Sequence, residues 1–140
     1  MATSNEILVQ HPESHARILG QLAGCVDACL ECAQACTSCA DACLATGEAS
    51  ALASCIRANL DCADIAGVTA RLLSRQTETD WYLAISVLDT CIHACEICAE
   101  ECDAHGERYA HCRTCAQACK ESADACRRLM GELPQPTDVF

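Results

Sequence analysis

The sequence predicts an all-α protein, an antiparallel up-down-up-down four-helix bundle with a cysteine-lined interior. Three observations predict this fold. The 16 cysteines fall into four runs, and steps of three, four or seven residues within each run place them on one face of a helix. The links between the runs are short, so neighbouring helices should pack antiparallel. Valine, isoleucine and threonine are too few and too dispersed for strands.

The first helix is expected to run from about Pro12 to Ala45. Proline suits a first helical turn because its missing N–H would have no helical partner there. Gly47 stands where a glycine commonly ends a helix. Gly20 and Gly24 fall inside this span, and we expect them either to kink the helix or to split off a short leading helix.

The other three helices follow from similar signals. Thr77–Asp80 form a capping signal for the third helix, and Pro134 and Pro136 stop the fourth. The expected spans are Ala49 to Arg75 for the second helix, Thr77–Asp80 to just before Gly106 for the third, and Glu107 to Leu133 for the fourth. Together the helices make a single domain of residues 1–140, in which residues 1–11 and 134–140 are expected to be loose.

The cysteines keep one stripe of each helix turned toward the bundle axis. Their steps are 4, 3, 4, 3 and 4 on the first helix, 7 on the second, 4, 3 and 4 on the third, and 3, 4 and 7 on the fourth. Residues three or four apart on a helix have Cβ atoms about 5–6 Å apart, so neighbouring thiolates can share one small ion. The stripes therefore predict a long tube of sulfur. Its members are Cys25, Cys29, Cys32, Cys36, Cys39, Cys43, Cys55, Cys62, Cys91, Cys95, Cys98, Cys102, Cys112, Cys115, Cys119 and Cys126.

The two ends of this tube differ in their side chains. At one end the stripes run on into apolar residues, which we expect to carry much of the stability of the metal-free protein. These residues are Ile18, Leu22, Ile65, Thr69, Leu72, Trp81, Ala84, Leu88 and Leu129. At the opposite end, the mouth, ions are expected to enter. The cysteines of the mouth are Cys43, Cys55, Cys102 and Cys112.

Two histidines are candidate ligands at the mouth. His105 lies three residues after Cys102 and continues its stripe, whereas His111 flanks the stripe of the fourth helix. Either could instead be a solvated residue at a helix end. His93 falls between stripe positions and is expected on the surface. The others, His11 and His15, lie near the apolar end, where capping or packing is expected.

The spacing also bears on which ion the thiolates bind. Soft thiolates select Cu(I), zinc or iron–sulfur clusters. A monovalent ion bound at about one per thiolate would neutralise the buried charge, and bridging sulfurs permit that density. Zinc stays a competitor, although a continuous stripe lacks the separated quartets of structural zinc sites. The ferredoxin spacing is missing, and no general base accompanies an activated thiol, so an iron–sulfur protein or redox enzyme is the weaker alternative.

The composition excludes several classes of protein. The net charge is −11 with a single lysine, which argues against nucleic acid and against an anionic membrane surface as partners. The first fifteen residues carry no basic and apolar signal, and no stretch resembles a membrane span. We therefore expect a cytoplasmic protein, in which thiols stay reduced and a cysteine-rich chain is more typically metal-binding than disulfide-bonded.

The chain resembles the bacterial copper storage proteins, in their cytosolic branch, a cysteine-rich four-helix-bundle family. The resemblance covers roughly Ile18 to Leu129 and rests on the four stripes, above all the run Cys25–Cys43 and the block Cys91–Cys102. It implies a homotetramer that stores or buffers many Cu(I) ions rather than an enzyme. Copper chaperones and small-molecule thiols are then candidate partners for delivery and removal.

The resemblance implies a ligand role for each of the sixteen cysteines, since all fall on stripe positions. Two stripe positions depart from sulfur, Asn59 between Cys55 and Cys62 and Ser122 near Cys119. The second helix is therefore poor in ligands, and the number of ions stays open. A general thiolate buffer for zinc or toxic soft metals remains the alternative function.

Overall fold

Helices make up all the regular secondary structure of the described residues. The structure is a computed structural model that describes the backbone of residues 2–13 and 15–134 and the side chains of residues 6–13 and 15–134. The helices are α1 (Ala2–Gln10), α2 (Leu19–Leu44), α3 (Ala53–Leu73), α4 (Trp81–Ala104) and α5 (Ala110–Glu132), with one 3₁₀ turn (Ala16–Ile18) before α2. The all-α prediction is confirmed.

The four long helices form the expected bundle. α2 packs against α3 and α5, and α4 packs against the same two helices, so the four elements make a closed ring around one axis. Short links join each helix to the next, which makes every neighbouring pair antiparallel. Each cysteine stripe thereby faces the interior, and the predicted tube becomes the core of the bundle.

The N-terminal part of the chain differs from the expectation. The first bundle helix begins at Leu19 rather than near Pro12, which lies in a turn after α1. A proline disfavours helical geometry in the residue before it, so the break falls at residues 11–18 and not at Gly20 or Gly24. The segment expected to be loose forms α1, whose Leu8 is buried against the bundle core. Of the expected loose C-terminal segment, residues 135–140 lie outside the described residues.

The remaining helix ends follow local signals. The Asp80 side chain accepts a hydrogen bond from the backbone N–H of Leu83 at 3.1 Å, which confirms the capping signal of α4. Gly47, with φ 81°, takes the left-handed conformation after α2 that glycine tolerates best. α3 and α5 begin a few residues later than expected; before α5, the backbone of Tyr109 is extended.

Apolar side chains close one end of the tube, as predicted, but α3 contributes different ones. We call this layer the plug; its buried members are Ile18, Leu22, Ala66, Thr69, Leu73, Ala84, Leu88 and Leu129. Ile65, Leu72 and Trp81, which the sequence placed there, are only partly buried. On α3 the prediction was wrong because it took two successive steps of three through Cys62. A helix of 3.6 residues per turn keeps one face only when steps of three and four alternate, which selects Ala66 and Leu73.

Helix α4 is long and apolar enough, by length and composition alone, to cross a membrane, with a mean hydropathy of 1.4. Much of this apolarity comes from its cysteines and alanines. Because the stripe from Ala84 to Cys102 is buried inside the bundle, we assign α4 to the protein core.

Candidate metal-binding site

All sixteen cysteines are buried free thiols. The four bundle helices orient them toward the interior, where they form one column. Residue exposure is 0–2% at every one of them. The sulfur atoms fall into successive layers between the plug and the mouth, and contacts from Cys32 to Cys36 and from Cys98 to Cys102 join the middle layers to one another. The predicted tube is therefore present as a layered arrangement of thiols.

The layer nearest the plug joins three helices. The Sγ atom of Cys126 lies 3.6 Å from that of Cys25 and 3.8 Å from that of Cys29. Cys29 also contacts Cys91 at 4.0 Å and the hydroxyl of Ser122 at 3.7 Å. The sulfurs of Cys25, Cys29 and Cys126 lie within 4.8 Å of one another, so they can share one ion.

The next layer takes one thiol from each bundle helix. Cys32 Sγ lies 3.7 Å from Cys62 Sγ, 4.0 Å from Cys95 Sγ and 3.9 Å from Cys119 Sγ. Cys62 and Cys95 are 3.7 Å apart, which completes the contact between α3 and α4. Cys32 also lies 3.9 Å from Cys36, one turn along α2, and this contact leads into the following layer.

The third layer is centred on Cys36 and includes one amide oxygen. Cys36 Sγ lies 3.8 Å from Cys98 Sγ and 3.7 Å from Cys115 Sγ. The buried carboxamide oxygen of Asn59 accepts hydrogen bonds from Cys98 at 3.0 Å, Cys115 at 3.2 Å and Cys102 at 3.4 Å. The stripe position that departs from sulfur on α3 is thus filled by an oxygen that three thiols already contact.

The next layer lies between Cys36 and the mouth. Cys55 and Cys102 bring α3 and α4 together at 3.7 Å, and the Asn59 amide nitrogen donates to Cys55 at 3.8 Å. The sulfurs of Cys39, Cys102 and Cys115 lie within 4.8 Å of one another. This layer connects the interior thiols to those at the open end.

One of the two candidate histidines joins the thiols at the mouth. The Nε2 atom of His111 lies 3.5 Å from Cys43 Sγ, and Cys43 lies 3.9 Å from Cys112. With Cys39 these residues form a group whose ligand atoms lie within 4.8 Å of one another. The partly buried His111 therefore completes a set of three sulfurs and one imidazole, the soft donors that Cu(I) and zinc accept.

The other histidines lie apart from this group. His105 caps the C-terminal end of α4 and does not join a ligand cluster among the described residues. Hydrogen bonding with Cys102 is the main cause that lowers the pKa of Cys55, and His105 lowers it further. His93 is exposed on the surface, as expected. Near the plug, His11 contacts Thr77 at 3.3 Å, and His15 packs edge-on against Trp81 with ring centroids 5.1 Å apart.

Close contact between the sulfurs distributes protons unevenly along the column. Hydrogen bonding with Cys126 and then Cys29 lowers the pKa of Cys25 to about 5, while hydrogen bonding with Cys25 raises the pKa of Cys126. Near the mouth, burial raises the pKa of Cys112 to about 12. A thiolate is stabilised where neighbouring S–H groups donate to it, and its donors stay protonated. A soft cation that binds the column must therefore displace protons.

A family of known proteins shares this arrangement. The family model described as copper storage protein matches residues 19–131, which cover all of the four bundle helices except the last residue of α5. The chain belongs to the copper storage protein family. The resemblance inferred from the cysteine stripes is therefore confirmed.

Solved structures of one relative have the same fold. The copper storage protein Ccsp from Streptomyces lividans, loaded with 10 copper equivalents, has a TM-score of 0.89 and 40% identity over 91% of this chain and 98% of its own. A structure described as a cytosolic copper storage protein from the same organism, with five coppers, has a TM-score of 0.79 and 44% identity over 80% of this chain and 93% of its own. The uncharacterized cysteine-rich protein YhjQ of Bacillus subtilis (strain 168) is 35% identical over 105 residues, 75% of this chain and 92% of its own length.

Sequence reasoning missed two features of this copper storage protein's site. It treated Asn59 as a gap in the ligand stripe, whereas its amide oxygen lies among three thiols. It also overlooked Glu48 and Tyr109, two residues in the links at the mouth that contact each other at 2.7 Å. The stripe period could have indicated Asn59, since that position faces the tube, but no sequence signal pairs two residues from separate links.

Proposed function

We propose that this protein stores Cu(I) as many thiolate-bound ions inside its helical bundle. The observation that carries the proposal is the column of buried sulfurs, in which neighbouring thiols lie 3.6–4.0 Å apart in the layer nearest the plug and again from Cys32 to Cys36. Such spacing lets each sulfur bridge two ions. The solved copper-loaded relatives support the same role.

Charge balance lets the column hold about twice as many monovalent ions as divalent ones. Each ion that enters displaces a proton from a thiol, so one Cu(I) per thiolate leaves the interior neutral. The bundle holds its thiols on rigid helices around a common axis, which keeps the ligands in place before metal arrives. All sixteen cysteines are proposed ligands, with His111 at the mouth; His105 is a candidate second histidine close to Cys55.

The wider role proposed for the protein is buffering of cytoplasmic copper without turnover. Along the column the described residues place thiols, one amide, hydroxyl groups and, at the mouth, the imidazole of His111, a set suited to holding soft ions. Ions are proposed to enter at the mouth, since the plug closes the other end. From its family we further propose that the protein forms a homotetramer. We also propose that it exchanges copper with chaperones or small thiols.

A second function has one observation in its favour. The sulfurs of Cys32, Cys36, Cys62 and Cys119 lie within 4.8 Å of one another, and four sulfurs are a common ligand set for tetrahedral zinc. A general buffer for zinc and other soft metals would use such quartets. It would leave the sulfurs between quartets without a role, which is why copper storage is preferred.

An anaerobic titration separates the two functions. The fully reduced metal-free protein is titrated with Cu(I) in the presence of a chromophoric Cu(I) chelator, with zinc added as a competitor. Storage predicts that the protein withholds many ions, on the order of one per thiolate, before the chelator takes up copper, and that zinc does not displace them. Binding of only a few ions, or equal competition by zinc, would refute copper storage.

A further inference from the structure

A closed circuit of contacts surrounds the His111–Cys43 pair at the mouth. The hydroxyl of Thr46 donates to the backbone carbonyl of Cys43 at 2.8 Å, and the backbone N–H of Glu48 donates to that hydroxyl at 3.0 Å. The Tyr109 hydroxyl then donates to the Glu48 carboxylate at 2.7 Å. The Tyr109 ring packs on His111 with centroids 5.5 Å apart, and His111 returns to Cys43 at 3.5 Å.

The circuit ties together two links that are far apart in the sequence. Glu48 lies between α2 and α3, whereas Tyr109 lies between α4 and α5. Arg108 adds an ion pair to the same carboxylate oxygen, but both side chains of that pair are well exposed, so its contribution is small. The hydrogen bond from the partly buried Tyr109 is therefore the main anchor between the links.

The position of the ring explains what the anchor does. His111 is in the first turn of α5, where helix ends fray most readily, and its side chain is only partly buried. The tilted Tyr109 ring, at 34° to the imidazole, lies against it and restricts its rotation. An imidazole held beside Cys43 can bind an ion as soon as it arrives, without first being ordered.

We propose that Tyr109, anchored by Glu48, is a positioning residue that holds His111 beside Cys43 and thereby sets the rate at which Cu(I) enters the bundle. The inference rests on copper storage as the proposed function and names the group that prepares its mouth. Tyr109 contributes no ligand to the interior column. Its removal should slow loading and leave the final number of bound ions unchanged.

The test is a double-mutant cycle on loading rate. Cu(I) is delivered anaerobically from a chromophoric chelate by stopped flow to the wild type, Tyr109→Ala, His111→Ala and the double variant. Removing a group that orients a metal ligand typically lowers metal affinity or activity on the order of 10-fold. We therefore expect Tyr109→Ala to slow Cu(I) loading by about that factor. If Tyr109 acts through His111, the double variant should load no more slowly than His111→Ala alone.

Conservative variants separate the ring from its anchor. Tyr109→Phe and Glu48→Ala each remove the 2.7 Å hydrogen bond and keep the ring, so both should slow loading by the same, smaller factor. The matched control is Tyr82→Ala, which changes the chain's other tyrosine in the first turn of α4, at the plug end, and should load at the wild-type rate. Thermal unfolding of each metal-free variant by circular dichroism checks that the fold is kept.

The outcomes distinguish this inference from copper storage itself. A wild type that binds only a few ions refutes storage, whatever the variants do. A wild type that stores many ions, with Tyr109→Ala loading at the wild-type rate or with additive slowing in the double variant, overturns the positioning role alone. Slowing of Tyr82→Ala to the same extent would also overturn it, because the effect would then be general.

Discussion

The plug and the sulfur column should contribute differently to stability, and the substitution Leu88→Ala tests this division. Leu88 is fully buried in the plug at 0% exposure, between the apolar residues of the other bundle helices. Cys36, in the middle of the column, is equally buried. The two positions therefore differ in side-chain chemistry and not in accessibility, which makes Cys36→Ala the matched comparison.

The magnitudes follow from the atoms removed. Leu→Ala deletes three carbons, about 2.4 kcal/mol at 0.8 kcal/mol per methylene, and the cavity left behind raises the cost to about 3–5 kcal/mol. Cys→Ala deletes one sulfur, and we expect about 1 kcal/mol by the same scale. For a chain of this size the melting temperature should fall by about 10–15 °C for Leu88→Ala and by about 3–4 °C for Cys36→Ala.

Two assays on the same proteins separate stability from capacity. Circular dichroism melts of the metal-free proteins give the first, and Cu(I) titration against a chromophoric chelator gives the second. Leu88→Ala should melt much earlier and still bind the wild-type number of ions at low temperature, whereas Cys36→Ala should melt nearly normally and bind fewer. Equal melting shifts, or a metal-free wild type without a cooperative transition, would refute the reasoning.

Two further predictions concern the groups inside the column. Asn59→Ala should destabilise the metal-free protein by about 1–3 kcal/mol, because three thiols lose their hydrogen-bond acceptor. Ser122→Ala loses one contact at 3.7 Å and should destabilise the protein less. Equal losses of unfolding free energy in denaturant titrations would contradict this. Cu(I) loading at neutral pH should release protons, and Cu(I) binding should weaken as the pH falls, because burial and neighbouring thiols keep residues such as Cys112 and Cys126 protonated in the free protein. A pH-stat titration in weak buffer measures this release, and the absence of any release would show that the thiols were already ionised.

The helix content and the sulfur column could be predicted because one periodicity controls both. Cysteines three and four residues apart share a helix face whatever the surrounding sequence does, so every cysteine came out buried. Extrapolation failed where cysteine stopped marking the phase. On α3 the stripe continues through Ala66 and Leu73, and one extra step of three was enough to select Ile65 and Leu72 instead.

Contacts between separate segments were beyond the reach of the sequence. α1 has few features that predict a helix on its own, and it is placed by burying Leu8 against the bundle. The contact between Glu48 and Tyr109 depends on how two links fold over the mouth, which no periodicity encodes. Prediction thus succeeded for features that recur with the helical period, and it failed for single contacts that depend on tertiary packing.

A storage tube also needs a fold that exists before its cargo arrives, and this explains the unequal ends of the column. Thiols lining the interior gain little from burial compared with leucine, so a bundle closed by cysteine at both ends would depend on metal for its stability. The buried leucines of the plug supply apolar packing at one end, where Leu22, Leu88 and Leu129 are at most 1% exposed. The opposite end, where we propose that ions are exchanged, has His111 and three thiols at its opening.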